Sequence, residues 1–379
     1  GPRYEYGEIA IGRDQCVEVG FWSLGTSGQC ELVGTRGQER FQPDAPRTVV
    51  RVRDRELPGL AAFPITSRID RFDGDIDVVY TWVDGSDPEW RAAFDEWAQR
   101  SGRQRSSDAL APGRYRSRDE LRYSLRSVWS HLGWARRIWV VTAGQRPAWL
   151  VEDDRLRVVD HTAILDKHYL PTFNSHAIEA ALHRVPGLAE HFVYFNDDTF
   201  AGRSLRPEHF FTPNGLPLVF DSDARVLTVE SPATGAVDTA AIRGRELLME
   251  HHGVATVYKP LHAPHPMRRS TMEELEHTFG DEFERTRQSR FRSPTDLSTA
   301  TSLALHYGLI TGRAVLGSIG HDYVNIESRR LRMHLERMLA TRRFDTFCLN
   351  ETDQRASDPA RVDRLVTSFL DGYFPVPSP

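Results

Sequence analysis

The sequence predicts an α/β protein: a Rossmann-like core of buried strands alternating with helices, with a helical insertion and a small β-rich N-terminal segment. Three observations carry this. Runs rich in β-branched and aromatic residues at 76–82, 138–142, 156–160 and 192–195 have the length of strands buried on both faces. Helical patterns separate them, and strand-helix alternation builds a doubly wound sheet. With 379 residues, 40% of them hydrophobic, the chain has ample material for a core.

In chain order, residues 1–70 hold short apolar patches broken by Gly, Pro, Ser and charges, and are expected to form the β-rich segment. Gly1 and Pro2 look like the scar of a cleaved tag, and no signal-peptide pattern follows them. Residues 71–225 form the expected core. Its clearest helix begins near Asp119, where Leu121, Leu125, Val128 and Leu132 fall on one stripe, and Gly133 marks its end. A second helix, 175–183, lies between the turn 171–174 and Pro186-Gly187. Residues 226–345 read as mainly helical, with helices near 245–251, 272–276, 298–307 and 328–339. Residues 346–379 complete the core and include a helix at 359–370.

Composition narrows the function. A net charge of −5 supplies no global field for a polyanion, so nucleic-acid binding is not expected. No run approaches the roughly 20 apolar residues of a transmembrane helix. All but Lys167 and Lys259 of the 48 basic residues are arginine, a group that forks onto carboxylate or phosphate. Three cysteines, Cys16, Cys30 and Cys348, make no disulfide framework, although Cys16 and Cys30 would pair in an oxidising compartment.

Chemistry-bearing side chains collect at a few places. The first strand runs into Asp84, Gly85, Ser86, Asp87 and Pro88: Asp84 suits a nucleotide or metal at a strand's carboxyl edge, and Asp87 suits a helix cap. The strand 192–195 runs into Asn196, Asp197 and Asp198, oxygen donors of the kind Mg²⁺ takes while bridging to phosphates. Arg114, Arg116, Arg118, Asp119, Glu120, Arg122 and Arg126 gather at a helix start, as an anion-binding cluster or a solvated ion-pair ladder. His262, Ala263, Pro264, His265 and Pro266, with Arg268 and Arg269 after them, read as a fixed loop presenting a general base beside a phosphate clamp; the HxxH spacing would also suit zinc, but further ligands are not evident. Arg290 and Arg292 add guanidiniums, and Cys348 reads as a core residue before the oxygen-rich 350–353.

Taken in order, DVVYTWVDGSDP (77–88), RSRDELRYSLRSV (116–128), LPTFNSHAIE (170–179), FVYFNDD (192–198), HAPHP (262–266), RFR (290–292) and CLNETD (348–353) resemble the Stealth family of hexose-1-phosphate transferases, which includes bacterial capsule polymerases and the catalytic part of the lysosomal-enzyme N-acetylglucosamine-1-phosphotransferase. The resemblance spans about 75–374 and implies a GT-A-like nucleotide-sugar-binding core. It implies transfer of a sugar 1-phosphate, N-acetylglucosamine-1-phosphate or a related hexose-1-phosphate, from a UDP-sugar to a glycan hydroxyl, releasing UMP. The acceptor attacks phosphorus, so the anomeric bond survives. On that reading Asp197 and Asp198, with Asn350 and Glu351, hold Mg²⁺ or Mn²⁺. His265 or His262 is the base, Arg292 with Arg268 or Arg290 stabilises the phosphoryl oxygens, and Asp84, Arg118, Asp119, Glu120, Arg122 and Asn174 line the site. Many relatives carry Asp where Glu351 stands, which makes its placement the weakest of the metal set. The alternatives are a GT-A glycosyltransferase releasing UDP and a non-catalytic glycan-binding protein. The expected setting is the cytoplasm, with peripheral work at the inner face of the membrane.

Overall fold

The computed structural model describes residues 71–102, 115, 117–230, 234–351 and 358–376, with short stretches before residue 61. Arg114, Arg116 and Asp353 lie outside the described residues, as does Cys16 of the considered Cys16–Cys30 pair. The chain divides into two compact units, Gly1–Arg71 and Phe72–Pro379. The described part of the first is β-structure: Tyr4–Tyr6 pairs with Ile9–Ile11, Cys30–Leu32 lies between Trp22–Leu24 and Arg40–Phe41, and Arg47–Val52 pairs with Arg55–Leu60, all antiparallel.

The second unit is built on a five-stranded sheet. Its strands are β1 (Ile76–Thr81), β2 (Ile138–Thr142), β3 (Leu156–Asp160), β4 (His191–Asn196) and, from a later part of the chain, His265–Arg268, in the order β3, β2, β1, β4, His265–Arg268. β1 to β4 are mutually parallel where they pair, and the last strand runs antiparallel to β4. Side chains alternate between the two faces of a strand, and both faces here are apolar. Ile76, Val78, Tyr80, Val193 and Phe195 pack with Leu121, Leu125, Val128 and Leu132. Val79, Phe192 and Tyr194 enter the opposite layer with Met272, Leu275, Leu303 and Leu305. Two buried layers follow from these apolar runs.

The helices are α1 (Pro88–Arg100), α2 (Glu120–His131), the short α3 (Ser175–Glu179), α4 (Ala236–His252), α5 (Arg269–Thr278), α6 (Gly280–Gln288), α7 (Ala304–Ile310), α8 (Leu331–Thr341) and α9 (Pro359–Tyr373). Asp87 caps α1 by accepting from the Trp90 N–H at 2.7 Å. The predicted helix 175–183 breaks after α3 and resumes as a 3-10 turn, Leu182–Arg184. The predicted helix 298–307 opens as a π-turn, Thr299–Leu303, before α7.

A second, three-stranded sheet abuts the end of β4. It has β5 (Thr199–Ala201) against Thr346–Asn350, which in turn pairs in parallel with His321–Asn325. Taken in chain order with β5, the later strands are β6 (His265–Arg268), β7 (His321–Asn325) and β8 (Thr346–Asn350). α8 and α9 cover this sheet through Leu335, Met338, Val366, Phe369 and Leu370. The mainly helical stretch 226–345 therefore also supplies one strand to each sheet.

One expectation is overturned here. His265 and Pro266 are not in a loop: they open β6, with His265 opposite Tyr194 and Pro266 opposite Val193. Proline argues against a central strand, but β6 is the edge of its sheet, where a missing N–H is tolerated.

Candidate active site

β4 delivers Asn196, Asp197 and Asp198 to the carboxyl edge of the sheet, where β5 begins. Successive side chains on β8 point to opposite sides, so Cys348 and Asn350 face the same way while Leu349 enters the core. Both turn toward Asp198: the Cys348 thiol and the Asn350 amide each donate to Asp198 Oδ2 at 3.3 Å. The Asp198 backbone is pinned as well, its carbonyl accepting from Leu349 N–H at 3.0 Å. His262, on the segment leading into β6, places Nε2 3.6 Å from Asp198 Oδ1 and 3.4 Å from Asn196 Nδ2. Asp198, His262 and Cys348 each offer a ligand atom, all within 4.8 Å of one another.

The electrostatics of this corner are unbalanced toward negative charge. Burial, then Asp198 and Glu120, hold the Asp197 carboxyl well above the carboxylate range. Burial likewise raises Glu120, with Asp198 adding to the rise against the backbone N–H and charge of Arg118. Asp198 is lowered: burial opposes its charge, but His262 and the hydrogen bonds from Cys348 and Asn350 together outweigh burial. The converse holds for His262, where burial disfavours the imidazolium yet Asp198, with help from Glu179, raises it. Carboxyls that repel one another at a strand edge fit a bound cation, whose charge would relieve that penalty. Asp197, Asp198, Glu120 and the Asn350 carbonyl oxygen are hard donors suited to Mg²⁺ or Mn²⁺, while the imidazole and thiol of His262 and Cys348 would suit a softer ion.

Around this corner, the residues singled out from sequence fall into two groups. Asp84 follows β1 at the same carboxyl edge, since Thr81 lies opposite Asn196. Its side chain accepts from Ser86 N–H at 2.8 Å and Ser86 hydroxyl at 2.6 Å, and Gln145 clamps its backbone N–H and carbonyl at 2.9 and 2.8 Å. Asp119, at the cap position of α2, is exposed and has a left-handed backbone, φ 63°. Arg122, in the first turns of α2, stands 6.0 Å from the Trp149 ring. Arg292 donates to Ser175 Oγ at 2.8 Å, and its charge acts on both His262 and Glu179.

The second group is tied into the frame. Arg118 bonds Glu351 and Asp363, both at 2.6 Å, and lies 3.6 Å from Glu120. Glu351 thus reaches a guanidinium, whereas the neighbouring Asn350 reaches Asp198. Asn174 is fully buried, capping α3 through His176 N–H and donating to Ser289 carbonyl and Asp296 at 2.9 and 2.8 Å. Arg290 donates to the carbonyls of Tyr169 and His168 at 2.9 and 3.1 Å and stacks 4.1 Å from the Trp97 ring. Arg268 pairs with Glu190 at 2.9 Å opposite His191, the first residue of β4. That is about 16 Å along the strand from Asn196, so Arg268 does not join the acidic corner. His265 is 4% exposed, and burial, then the charges of His262 and His321, push it down to about 3.

Two residues of the corner are missed by the sequence reading. Cys348 reads as core, and it is buried, but its two-residue spacing from Asn350 is the signal that it shares Asn350's side of β8. Glu179 ends α3 with 4% exposure, and burial lifts its carboxyl to about 7 although Arg292 pulls it down. Its place at the end of LPTFNSHAIE, four residues after Ser175, is the sequence hint.

Models of all four Stealth conserved regions match the chain: conserved region 1 at 74–101, region 2 at 114–219, region 3 at 261–309 and region 4 at 337–379. An exopolysaccharide phosphotransferase of Streptomyces coelicolor is 40% identical over 98% of this chain and 65% of its own length. One from Nocardia farcinica is 39% identical over 98% of this chain and 74% of its own. The exopolysaccharide phosphotransferase CpsY of Mycobacterium tuberculosis is 40% identical over 80% of this chain and 58% of its own. The chain thus spans about half to three quarters of these relatives. Among solved structures, galactosyltransferase LgtC in complex with donor and acceptor sugar analogues has 11% identity and a TM-score of 0.35 over 77% of this chain and 95% of that one. With the four regions in order and 98% of this chain matched by a relative 39% identical to it, the chain belongs to the Stealth family.

Proposed function

We propose that this protein transfers a sugar 1-phosphate, N-acetylglucosamine-1-phosphate or a related hexose-1-phosphate, from a UDP-sugar to a glycan hydroxyl and releases UMP. The observation that carries the proposal is the corner of Asp197, Asp198, Asn350 and His262 at the carboxyl edge of β4, in a chain whose relatives are named exopolysaccharide phosphotransferases. Ligands of open α/β sheets bind beyond that edge.

In the proposed reaction the acceptor oxygen forms a bond to the donor's sugar-bearing phosphorus as the bond from that phosphorus to UMP breaks. His262 takes the acceptor's proton; its pairing with Asp198 orients the ring and raises its basicity. Arg292 faces the charge that develops on the phosphoryl oxygens. Asp197, Asp198, Glu120 and Asn350 would hold Mg²⁺ or Mn²⁺, which when bound supplies positive charge against the diphosphate. Asp84, Asp119 and Arg122 border the donor and acceptor. His265, Arg118, Asn174, Arg268, Arg290 and Glu351 keep the frame through the contacts described above. No helix among the described residues is long and apolar enough to cross a membrane, and work on polysaccharide at the inner face of the membrane is part of this proposal.

Purified protein with UDP-N-acetylglucosamine, Mg²⁺ or Mn²⁺ and a glycan acceptor tests it. UMP release with phosphorus retained in the product is expected; UDP release with a new glycosidic bond would show a glycosyltransferase instead.

A further inference from the structure

The second sheet turns one face to the acidic corner, and the proposed chemistry uses only part of it. β7 and β8 pair in parallel, with His321 opposite Thr346, Tyr323 opposite Cys348 and Asn325 opposite Asn350. Paired residues lie on one face and their neighbours on the other. Val324 and Leu349 enter the core, whereas Cys348 and Asn350 bond Asp198. His321 Nδ1 lies 2.9 Å from Thr346 Oγ1, a contact that requires the same side. Tyr323 therefore stands on the face that meets Asp198.

What it presents there is an aromatic ring, 47% exposed, on an edge strand of the sheet. The ring meets His262 edge to face, with centroids 6.2 Å apart and planes at 77°. The His262 side chain is itself 34% exposed, so solvent reaches both. An acceptor hydroxyl that gives its proton to His262 must come within hydrogen-bond reach of the imidazole, which brings the sugar that carries it up against Tyr323. The chemistry matches: a sugar ring has an apolar C–H face and a hydroxyl rim, and tyrosine has an apolar ring and a polar tip.

Tyr323 also falls between conserved region 3, which ends at 309, and conserved region 4, which begins at 337. Asp197, Asp198, His262, Arg292 and Asn350 all fall inside conserved regions. A shared reaction carried out on differing glycans calls for this division, because discrimination between acceptors comes from contacts beyond the common machinery.

We propose that Tyr323 is the floor of an acceptor-sugar subsite: it stacks on the C–H face of the sugar whose hydroxyl His262 deprotonates, and so helps to choose the acceptor glycan. The proposal rests on the function given above for the role of His262, but not for which nucleotide is released.

Two readouts test it, with melting curves confirming that each variant is folded. The first needs no turnover: the whole protein is applied to an array of bacterial polysaccharide fragments. Glycans held by the unsubstituted protein and by Tyr323→Phe, but weakened about fivefold or more in Tyr323→Ala, are the expected result. Equal binding by Tyr323→Ala, or no glycan held by the unsubstituted protein, overturns the proposal. The second uses the glycan held most strongly as acceptor, with UDP-N-acetylglucosamine and Mn²⁺, counting either nucleotide as product. Tyr323→Ala is expected to raise acceptor KM about tenfold or more while donor KM stays within about twofold, and Tyr323→Phe to restore acceptor KM to within about threefold. A loss confined to kcat would mean that Tyr323 only orients His262, and it overturns the proposal, as does an unchanged acceptor KM. Release of UDP in place of UMP, or no turnover at all, would contradict the proposed function alone and leave the array result in force.

Discussion

The two ends of β4 solve opposite problems. At its amino end Asp77 of the adjacent β1 is fully buried, yet it accepts from Arg136 at 2.9 and 2.7 Å, from the Trp139 indole at 2.9 Å and from Ala189 N–H at 2.9 Å. Arg268 and Glu190 close the same end as an ion pair. At the carboxyl end burial, with the charge of Asp198 added, forces Asp197 and Glu120 up in pKa. Acids in one strand layer thus divide by whether their charge is answered. The answered end holds the sheet together. At the other end the raised carboxyls carry a penalty that a bound cation would relieve.

The sharpest way to break this contrast is to remove charge at each end. Asp198→Ala is expected to lower turnover by about a hundredfold to a thousandfold while the protein still melts cooperatively, measured by steady-state kinetics and calorimetry. His262→Ala is expected to cost about a hundredfold or more in kcat, because a positioned base is lost. Asp77→Ala should reverse the pattern: it leaves Arg136 and two buried donors unanswered, and a loss of about 3–5 kcal/mol in denaturant unfolding is expected.

How far the sequence reveals this contrast depends on which residues are asked. The strands are legible because Ile76, Val78, Val193 and Phe195 on one face, and Val79, Phe192 and Tyr194 on the other, are apolar, which only a sheet covered on both sides tolerates. α2 is legible from its leucine stripe, and Asp197 and Asp198 from their place after a strand. β6 is not, since Pro264 and Pro266 speak against a strand and its edge position is a property of the assembled sheet. For the same reason, sequence leaves His262 and His265 equivalent. One sits before β6 and meets Asp198, while the other enters the strand and is buried. Arg118, Arg268 and Arg290 stand in the conserved regions, but their partners Glu351, Glu190 and the 168–169 carbonyls come from distant parts of the chain.

Buried histidines add a pH-dependent test of the packing. Burial holds His161 at about 4, His265 at about 3 and His306 at about 4, below an unperturbed value of about 6.5. The unfolded chain then binds more protons than the native one below that value. Stability is therefore retained above about pH 6.5 and falls as pH drops toward 3 to 4, by about 1.4 kcal/mol per pH unit for each histidine within its window. Calorimetric melts across that range check this, and His161→Phe, if it folds, should flatten the slope. Smallest of all, Arg268→Ala should leave turnover near its starting value and cost about 1 kcal/mol or less, because the pair it breaks with Glu190 is about one-third exposed on each side.

The central claim is that the carboxyl end of β4 is built for a cation. Titration of the purified protein with Mn²⁺, following the free ion by electron paramagnetic resonance, tests it most directly. The account predicts a site that is kept in Arg268→Ala and lost in Asp198→Asn. Mn²⁺ binding that is unchanged by Asp198→Asn, or absent from the unsubstituted protein with and without a UDP-sugar, would contradict it.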